Sequence, residues 1–291
     1  MSGCQINSPT FTVWLLLLSL TACGGAQSKP GTEVAPGVRL LARMSDARIT
    51  ESSGVVASRK HPGVLWTHND GGGPKKQFLY AIDREGRTLA SFPFVGELLH
   101  DWEDIAIDDA GHLFIGDIGN NDSKRSQLVV YEIDEPDPRA GTVVLRANRQ
   151  WKLAFPMEPF DCESLFIWKG HGYVVSKVFN DMRAQIFRFP LTETRKPVTL
   201  ELVATTRIES PVTGADISAD GKLLALVAKN GAYVFRIKGD AARVTKDKPH
   251  HTKFKDEHIE GCAFVTDGLL ATSEQKEILL FTHPAFRGKA E

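Results

Sequence analysis

The sequence predicts an all-β protein, folded as a five-bladed β-propeller with four-stranded blades. Three observations support this fold class. Short β-branched and aromatic segments are cut by Gly, Asp and Pro at close intervals, which is typical of strands and turns. A strand–turn–strand unit recurs five times in degraded form, as in repeat folds. One further strand-like segment, 37–44, precedes the first copy and belongs to none of them.

The five copies of the unit begin 47 to 60 residues apart, at Glu51, Asp101, Asp161, Pro211 and His258. Each copy has an apolar strand, a glycine-containing turn and a second apolar strand. A third strand follows in each copy and carries an aromatic residue at a matching place: Tyr80, Tyr131, Phe187, Phe235 and Phe281. This spacing and content favour propeller blades over a two-sheet sandwich, which would not explain a fivefold register.

The ring is expected to close with a strand from the N-terminal end. A fourth segment fits before the next repeat in four copies, whereas the fifth copy ends after three strands. Segment 37–44 can supply the missing outer strand, so that no blade edge is left open. Six blades is the alternative, because the interval between the second and third copies is the longest. That interval contains only a Pro-rich acidic loop and no sixth copy.

The N-terminal region predicts an exported lipoprotein. The apolar run 11–20 is too short to span a bilayer and suits the core of a signal peptide. It leads into Leu20-Thr-Ala-Cys23, which resembles the lipobox of bacterial lipoproteins and implies cleavage before Cys23 and lipidation of its thiol. Residues 1–10 depart from the usual export signal, because they contain no Lys or Arg. The alternative is a plain secretory signal.

These features divide the chain into a signal peptide (1–22), a flexible Gly- and Pro-containing tether (23–37) and one propeller domain (38–291). The expected location is the bacterial cell envelope, outside the cytoplasm, with the lipid on Cys23 holding the protein to a membrane. A net charge of −1 argues against nucleic-acid binding, which needs a basic face. We expect a monomer, with Cys162 and Cys262 as small core residues.

One aligned position in the first strand of each repeat suggests a metal site. This column contains Ser53, Glu103, Glu163, Thr213 and Glu260. First strands line the central channel of a propeller, so the five side chains are expected to converge. Two carboxylates about 5 Å apart repel by about 3 kcal/mol at an effective dielectric constant of 20. Protons, basic side chains or a cation must therefore compensate the charge.

The column offers only oxygen atoms, from three carboxylates and two hydroxyls, which suits one Ca²⁺ ion better than Mg²⁺. The alternative is that these residues cap strands or share protons, without a metal.

The column is similar to that of the five-bladed calcium-activated nucleotidases (apyrases), in which Ser and Glu from successive blades hold a central Ca²⁺. The resemblance covers the first strands and the blade count. The motifs ESSG, DWEDIA and GDIGN also look like those of uncharacterised secreted bacterial propellers.

The starts of the first strands and the ends of the second strands are expected on one face, rich in acids, amides and lysines. Because no complete catalytic set is evident, the sequence favours a binding module for a small molecule, a glycan or an envelope protein on this face. The alternative is a calcium-dependent phosphohydrolase. In it, Asp101 or Asp117 would accept a proton from water and Lys177 would offset phosphate charge. A glycosidase that uses a carboxylate pair is a lesser alternative.

Overall fold

The structure is a computed structural model that describes Met1 and residues 28–287, except 142, 178–182 and 240. The predicted cleavage site, Cys23 and most of the predicted signal peptide therefore lie outside the described residues. Within the described part of the chain, no helix is long and apolar enough to cross a membrane. The elements found there are almost all strands, as the repeat pattern predicts.

Two strands precede the first repeat: β1 (Glu33–Ala35) and β2 (Val38–Arg43). Blade I contains β3 (Ser52–Ala57), β4 (Leu65–Asn69), β5 (Phe78–Ile82) and β6 (Thr88–Pro93). Blade II contains β7 (Trp102–Ile107), β8 (His112–Asp117), β9 (Gln127–Asp134) and β10 (Arg149–Ala154). In each blade the strands run in this order from the channel outward.

Blade III is formed by β11 (Cys162–Trp168), β12 (His171–Ser176), β13 (Gln185–Pro190) and, after the short β14 (Val198–Thr199), β15 (Glu201–Thr205). Blade IV is formed by β16 (Val212–Ile217), β17 (Leu223–Ala228), β18 (Gly231–Arg236) and β19 (His250–Lys253). The last repeat supplies β20 (Ile259–Val265), β21 (Gly268–Ser273) and β22 (Glu277–Phe281) to blade V. Short 3₁₀ helices occupy Ala241–Lys246 and Pro284–Phe286.

Blade V is completed by the N-terminal strand β2, which pairs antiparallel with β22. Val38 lies opposite Phe281 and Arg43 opposite Glu277, and Arg43 donates to the Glu277 carboxylate at 2.5 Å. The prediction of five four-stranded blades closed by the N-terminal segment is thus confirmed, and the six-bladed alternative is wrong. Residues 33–35, predicted as part of the flexible tether, instead form β1, which pairs with β2.

The outer edges of two blades receive additional backbone pairing that the repeat pattern does not predict. The short strand β14 lies between two strands of blade III in sequence, but it pairs in parallel with β10 of blade II. Leu145, from the loop between β9 and β10, bridges in parallel to Phe94 at the end of blade I's outer strand. Each crossover covers an exposed strand edge and links neighbouring blades.

Among the described residues, the hydrophobic core consists of five clusters, one between each pair of neighbouring blades. Blades I and II, for example, enclose the fully buried indoles of Trp66 and Trp102. Burial of each large apolar side chain contributes about 2–3 kcal/mol. Cys162 and Cys262 are buried free thiols in such clusters, as predicted.

A buried carboxylate fixes the inner strands to one another inside the channel. Asp104 is 1% exposed, and its oxygens accept the N–H groups of Ile105 at 2.9 Å and of Leu165, on the inner strand of blade III, at 2.8 Å. Burial raises the pKa of Asp104 well above its usual range. Gly54 provides the space for this side chain, since a Cβ there would lie 2.5 Å from Asp104 Oδ1.

Candidate functional site

Every inner strand carries a bulge at the column position that the repeats define. In blade II, Trp102 pairs with Asp117 and Asp104 pairs with Gly116, so Glu103 is the extra residue. The register shifts in the same way around the other four column residues: Ser53, Glu163, Thr213 and Glu260. Bulges redirect a side chain and often adjoin functional sites. Their repetition at the aligned position of all five inner strands indicates that they direct the column residues in the same way in every blade.

The structure brings four of the five column residues to one cavity. Ser53, Glu103, Glu163 and Glu260 line a cavity of about 230 Å³ at the end of the channel where the inner strands begin. Thr213 is not among the residues that line this cavity, and its hydroxyl donates to the Ile259 carbonyl at 2.8 Å. The channel mouth therefore collects three of the predicted carboxylates but only one of the two predicted hydroxyls.

A second ring lies beside the first. It consists of the residues that follow the second strand of each blade. In four blades the N–H of this residue donates to the carbonyl two residues before the column position, at 2.8–3.1 Å: Asp70, Lys177, Lys229 and Glu274. All four also line the cavity. This repeated backbone hydrogen bond makes the four positions structurally equivalent.

Blade II makes the corresponding hydrogen bond with Gly119, whose N–H donates to the Asp101 carbonyl at 3.2 Å. A Cβ on Gly119 would lie 2.2 Å from Glu103 Oε1 and 2.3 Å from Asp101 Oδ2. The glycine therefore leaves the space that these two carboxylate groups occupy.

Two lysines of the second ring pair with two glutamates of the first. Lys177 contacts Glu163 and lies 3.9 Å from Asp161, and Lys229 contacts Glu260. Glu163 is only 5% exposed, and its second carboxylate oxygen, Oε2, has no hydrogen-bond partner among the described residues. These lysines compensate part of the charge that the sequence places on the channel axis.

The acidic residues of blades I and II form a second cluster, and the charge of Lys177 partly offsets the rise in the pKa of its member Glu103. One oxygen from each of Asp70, Asp101 and Glu103 lies within 4.8 Å of the others. Burial, then the charges of Asp70 and Asp101, raise the pKa of Glu103 well above its usual range. Burial and the neighbouring Asp101 raise the pKa of Asp70 to about 6. The three carboxylates therefore resist simultaneous ionisation in the absence of a cation.

Charge is unequally distributed around the cavity. Its lining includes five carboxylates and two ammonium groups, an excess of three negative charges when all are ionised. Burial raises the pKa of Glu260 to about 7, even though Lys229 opposes the shift. With Glu163 and Glu260 paired to the lysines of blades III and IV, the remaining lining carboxylates are Asp70, Glu103 and Glu274, from blades I, II and V.

The three predicted catalytic residues have different surroundings. Asp101 belongs to the acidic cluster and is partly buried, and Lys177 faces Glu163. Asp117 is fully buried. Its Oδ1 accepts the N–H of Asp101 at 2.9 Å and lies 3.0 Å from Nη1 of Arg125. This paired carboxylate holds the Asp101 backbone and has no surface from which to accept a proton from water.

The sequence contained a signal for the second ring. Asp70, Lys177, Lys229 and Glu274 each follow directly after the second apolar strand of their repeat. Aligning the position after the second strand across the repeats, as for the first strands, would have indicated lysines near the glutamates of the first ring, which the structure shows as Lys177 with Glu163 and Lys229 with Glu260. Asp104 is harder to recognise, because its partner amides lie on the inner strands of two blades.

The fold and the site define a five-bladed β-propeller with an acidic cluster at one mouth of its channel. No protein-family model matches the chain, and no curated protein matches it. Among solved structures, it is similar to a chain of the mitotic checkpoint complex, with TM-score 0.39 and 12% identity, over 78% of this chain and 60% of that one. It is also similar to a luciferin-regenerating enzyme, with TM-score 0.46 and 13% identity, over 82% of this chain and 80% of that one.

Proposed function

We propose that the acidic mouth of the channel binds one Ca²⁺ ion, and that the protein is a cation-dependent binding module whose ligand docks on this face. The observation that carries the proposal is the cluster of Asp70, Asp101 and Glu103, whose oxygens lie within 4.8 Å of one another. A second observation supports it: Glu163 lines the same cavity, and its buried Oε2 has no hydrogen-bond partner among the described residues.

The donor set fits a hard cation with irregular coordination. Asp70, Asp101 and Glu103 would hold the ion, and Glu163 Oε2 is a further oxygen available in the cavity. All of these ligands are carboxylates, which Ca²⁺ accepts in variable number and geometry, whereas Mg²⁺ requires near-octahedral geometry. A divalent ion would compensate two of the three excess negative charges that line the cavity.

The lysines give the same site a means to recognise an anionic ligand. Lys177 and Lys229 line the cavity across from the acidic cluster, so a ligand anion at the Ca²⁺ ion would also meet ammonium groups. A glycan carboxylate, a phosphate or an acidic side chain of an envelope protein has the required chemistry. The binding role uses only these contacts and requires no catalytic base.

Phosphate-ester hydrolysis is the second candidate function, and the combination of acids and lysines in one cavity favours it. Bound Ca²⁺ would supply a polarised phosphate oxygen and an activated water. In this reaction Asp70 and Glu103 would hold the ion and Asp101 would stay free to take up a proton, because burial raises its pKa and it is partly accessible. Lys177 would offset phosphate charge. The structural role of Asp117 makes it the weaker choice as a base.

Calorimetric titration of the chelator-treated protein with Ca²⁺ tests the proposal. We expect one site in the wild type and at least a hundredfold weaker binding in Glu103→Gln. The matched control, Glu85→Gln, changes an exposed carboxylate in a turn of the opposite face and should bind like the wild type. Equal binding in Glu103→Gln would contradict the proposal. Calcium-dependent phosphate release from nucleotides, lost in Glu103→Gln, would favour the hydrolase over the binding module.

Lipid anchoring at Cys23 in a bacterial envelope remains part of the proposed function. The support is the apolar run 11–20, followed by the lipobox-like Leu20-Thr-Ala-Cys23. Mass spectrometry of the protein expressed in a bacterium should show a diacylglyceryl-modified Cys23 at the new N-terminus. In Cys23→Ser the protein should lose its lipid and leave the detergent phase on phase separation. An unmodified wild-type chain would contradict anchoring without affecting the Ca²⁺ proposal.

A further inference from the structure

The opposite mouth of the channel contains a second cavity, of about 410 Å³. The inner strands run from the acidic mouth toward this end, so turns that connect first to second strands surround the opening. The lining comes from such turns in blades I, IV and V, together with the β5–β6 turn of blade I. Its volume is within the range of about 300–1,000 Å³ that small-molecule sites occupy.

One wall of this cavity is apolar. It is formed by Val64, Leu65, Phe264 and Val265, of which Val64 and Leu65 are buried and the other two partly exposed. An apolar wall beside a wide opening favours a ligand with a hydrocarbon or aromatic body, because binding removes that surface from water.

Arg59 contributes the main polar group of the cavity. Its Nε is buried, and among the described residues no acceptor lies within hydrogen-bond distance of it. A buried donor without an acceptor costs about 1–3 kcal/mol, and more when the group is charged. A guanidinium also presents its donors in a planar fork that matches a carboxylate, phosphate or sulfonate. Arg59 is therefore positioned to receive an oxyanion.

The acidic groups nearest Arg59 are already engaged elsewhere. Asp216 accepts the N–H of Phe264 at 2.7 Å; burial raises its pKa to about 6, and the nearby charge of Arg59 opposes this shift without a hydrogen bond between Asp216 and Arg59 Nε. Asp220 accepts from Ser218 at 2.7 Å and lies 3.2 Å from Lys222. Neither carboxylate therefore accepts a hydrogen bond from Nε of Arg59.

A second arginine borders the opening. Nη2 of Arg84 donates to Asp267 at 2.9 Å, and its side chain is one-third exposed. This ion pair holds Arg84 at the rim, on the same face as Arg59. Because Asp267 compensates its charge, Arg84 contributes a rim side chain and leaves Arg59 as the main positive group of the cavity.

We infer that this cavity, built around Arg59 on the face opposite the acidic mouth, is a binding site for a small monoanion with an apolar body, such as an aromatic or aliphatic carboxylate or sulfonate. The head group would pair with Arg59, and the body would lie against Phe264 and Val64. The site is independent of the proposed Ca²⁺ site, and it gives the disc two chemically distinct mouths.

The test uses 8-anilinonaphthalene-1-sulfonate and its uncharged analogue N-phenyl-1-naphthylamine, which lacks the sulfonate. Fluorescence titration should show one saturable sulfonate site in the wild type. Arg59→Gln should weaken binding of the sulfonate at least tenfold while changing binding of the uncharged analogue less than twofold. The control Arg188→Gln, which removes a surface arginine paired with Glu201 on blade III, should bind like the wild type.

A second variant keeps the test decisive if Arg59→Gln fails to fold. Ala219 is exposed at the cavity's edge, so Ala219→Trp should obstruct the opening without disturbing the core and should weaken sulfonate binding at least fivefold. Wild-type affinity in a folded Arg59→Gln or Ala219→Trp protein would overturn the inference, as would the lack of a saturable site. Sulfonate binding should persist in Glu103→Gln, which separates failure of this site from failure of the Ca²⁺ site.

Discussion

Replacing Glu103 by Gln should stabilise the metal-free protein and should remove its stabilisation by calcium. Oxygens of Asp70, Asp101 and Glu103 lie within 4.8 Å of one another, and each ionised pair at that distance repels by about 3 kcal/mol at an effective dielectric constant of 20. Gln has nearly the same shape and removes the charge that takes part in two of the three pairs. Uptake of protons and the charge of Lys177 already offset most of this repulsion in the wild type. We therefore expect the metal-free variant to gain about 2 kcal/mol at pH 8.

The same substitution should abolish stabilisation by Ca²⁺. A ligand present at 100 times its Kd stabilises the folded state by about 2.7 kcal/mol. For a domain of this size, 1 kcal/mol corresponds to a change of about 2–4 °C in Tm. Saturating Ca²⁺ should therefore raise the Tm of the wild type by roughly 5–10 °C and leave Glu103→Gln unchanged.

Differential scanning calorimetry at pH 8, with EDTA or with Ca²⁺, measures both effects. The metal-free variant should melt roughly 5 °C above the metal-free wild type, and the two proteins should converge when Ca²⁺ is present. Glu85→Gln controls for loss of a carboxylate as such. A metal-free Glu103→Gln that melts below the wild type, or that keeps the Ca²⁺ response, would refute the reasoning from charge repulsion.

Four further predictions test other parts of the structure. The free energy of unfolding of the metal-free protein should fall as pH rises from about 4.5 to 7, because burial raises the pKa of Glu260 from 4.5 to about 7 and the folded state holds this proton more tightly than the unfolded chain does. Glu260 should account for about 3 kcal/mol of this loss at most, measured by urea titration. Glu260→Gln should reduce the loss by that share, and the part that comes from Asp70, whose pKa is raised to about 6, should remain. Asp104→Ala should destabilise the protein by about 3 kcal/mol in the same assay, because it leaves the N–H groups of Ile105 and Leu165 unpaired, whereas the exposed neighbour Asp109→Ala should change stability by less than about 0.5 kcal/mol. Gly119→Ala should weaken Ca²⁺ binding at least tenfold in calorimetry, since its Cβ would lie 2.2 Å from Glu103 Oε1, and unchanged affinity would show that Glu103 is not a ligand. Leu40→Asp, in the N-terminal closing strand, should cost at least about 3 kcal/mol by placing an unpaired charge at a fully buried position, and cooperative unfolding at wild-type stability would contradict the role of β2 in blade V.

The blade architecture was predictable from the sequence because it depends on local patterns that recur. Each repeat carries its own strands, turn and third-strand aromatic residue, and the closing strand was recognisable as a segment without a repeat of its own. Pairing of β14 with blade II was not predictable, because Val198 and Thr199 meet β10 through tertiary geometry and not through periodicity.

The site was predictable in part. Aligning the first strands identified Ser53, Glu103, Glu163 and Glu260, which the structure brings to one cavity. Thr213 fits the alignment equally well but is not among the residues that line the cavity; its hydroxyl, like that of Ser53, donates to a backbone carbonyl of the next blade. The sequence placed Lys177 and Lys229 on the expected face of the propeller. It did not predict that they pair with Glu163 and Glu260, because the positions of the side chains along the channel axis depend on the three-dimensional structure.

Closure by β2 also constrains how the chain can fold during its synthesis. Arg43 and Glu277, which pair across the closure, are 234 residues apart in sequence. At ribosomal rates of about 5–20 residues per second, the first strand to emerge waits on the order of 10–50 s for its partner. Over that interval β2 lacks β22, its partner in blade V, so aggregation and chaperone capture compete with completion of the ring. A circular permutant that begins between blades, with the original termini joined, would place β22 and β2 close together in the chain and should refold faster and with higher yield.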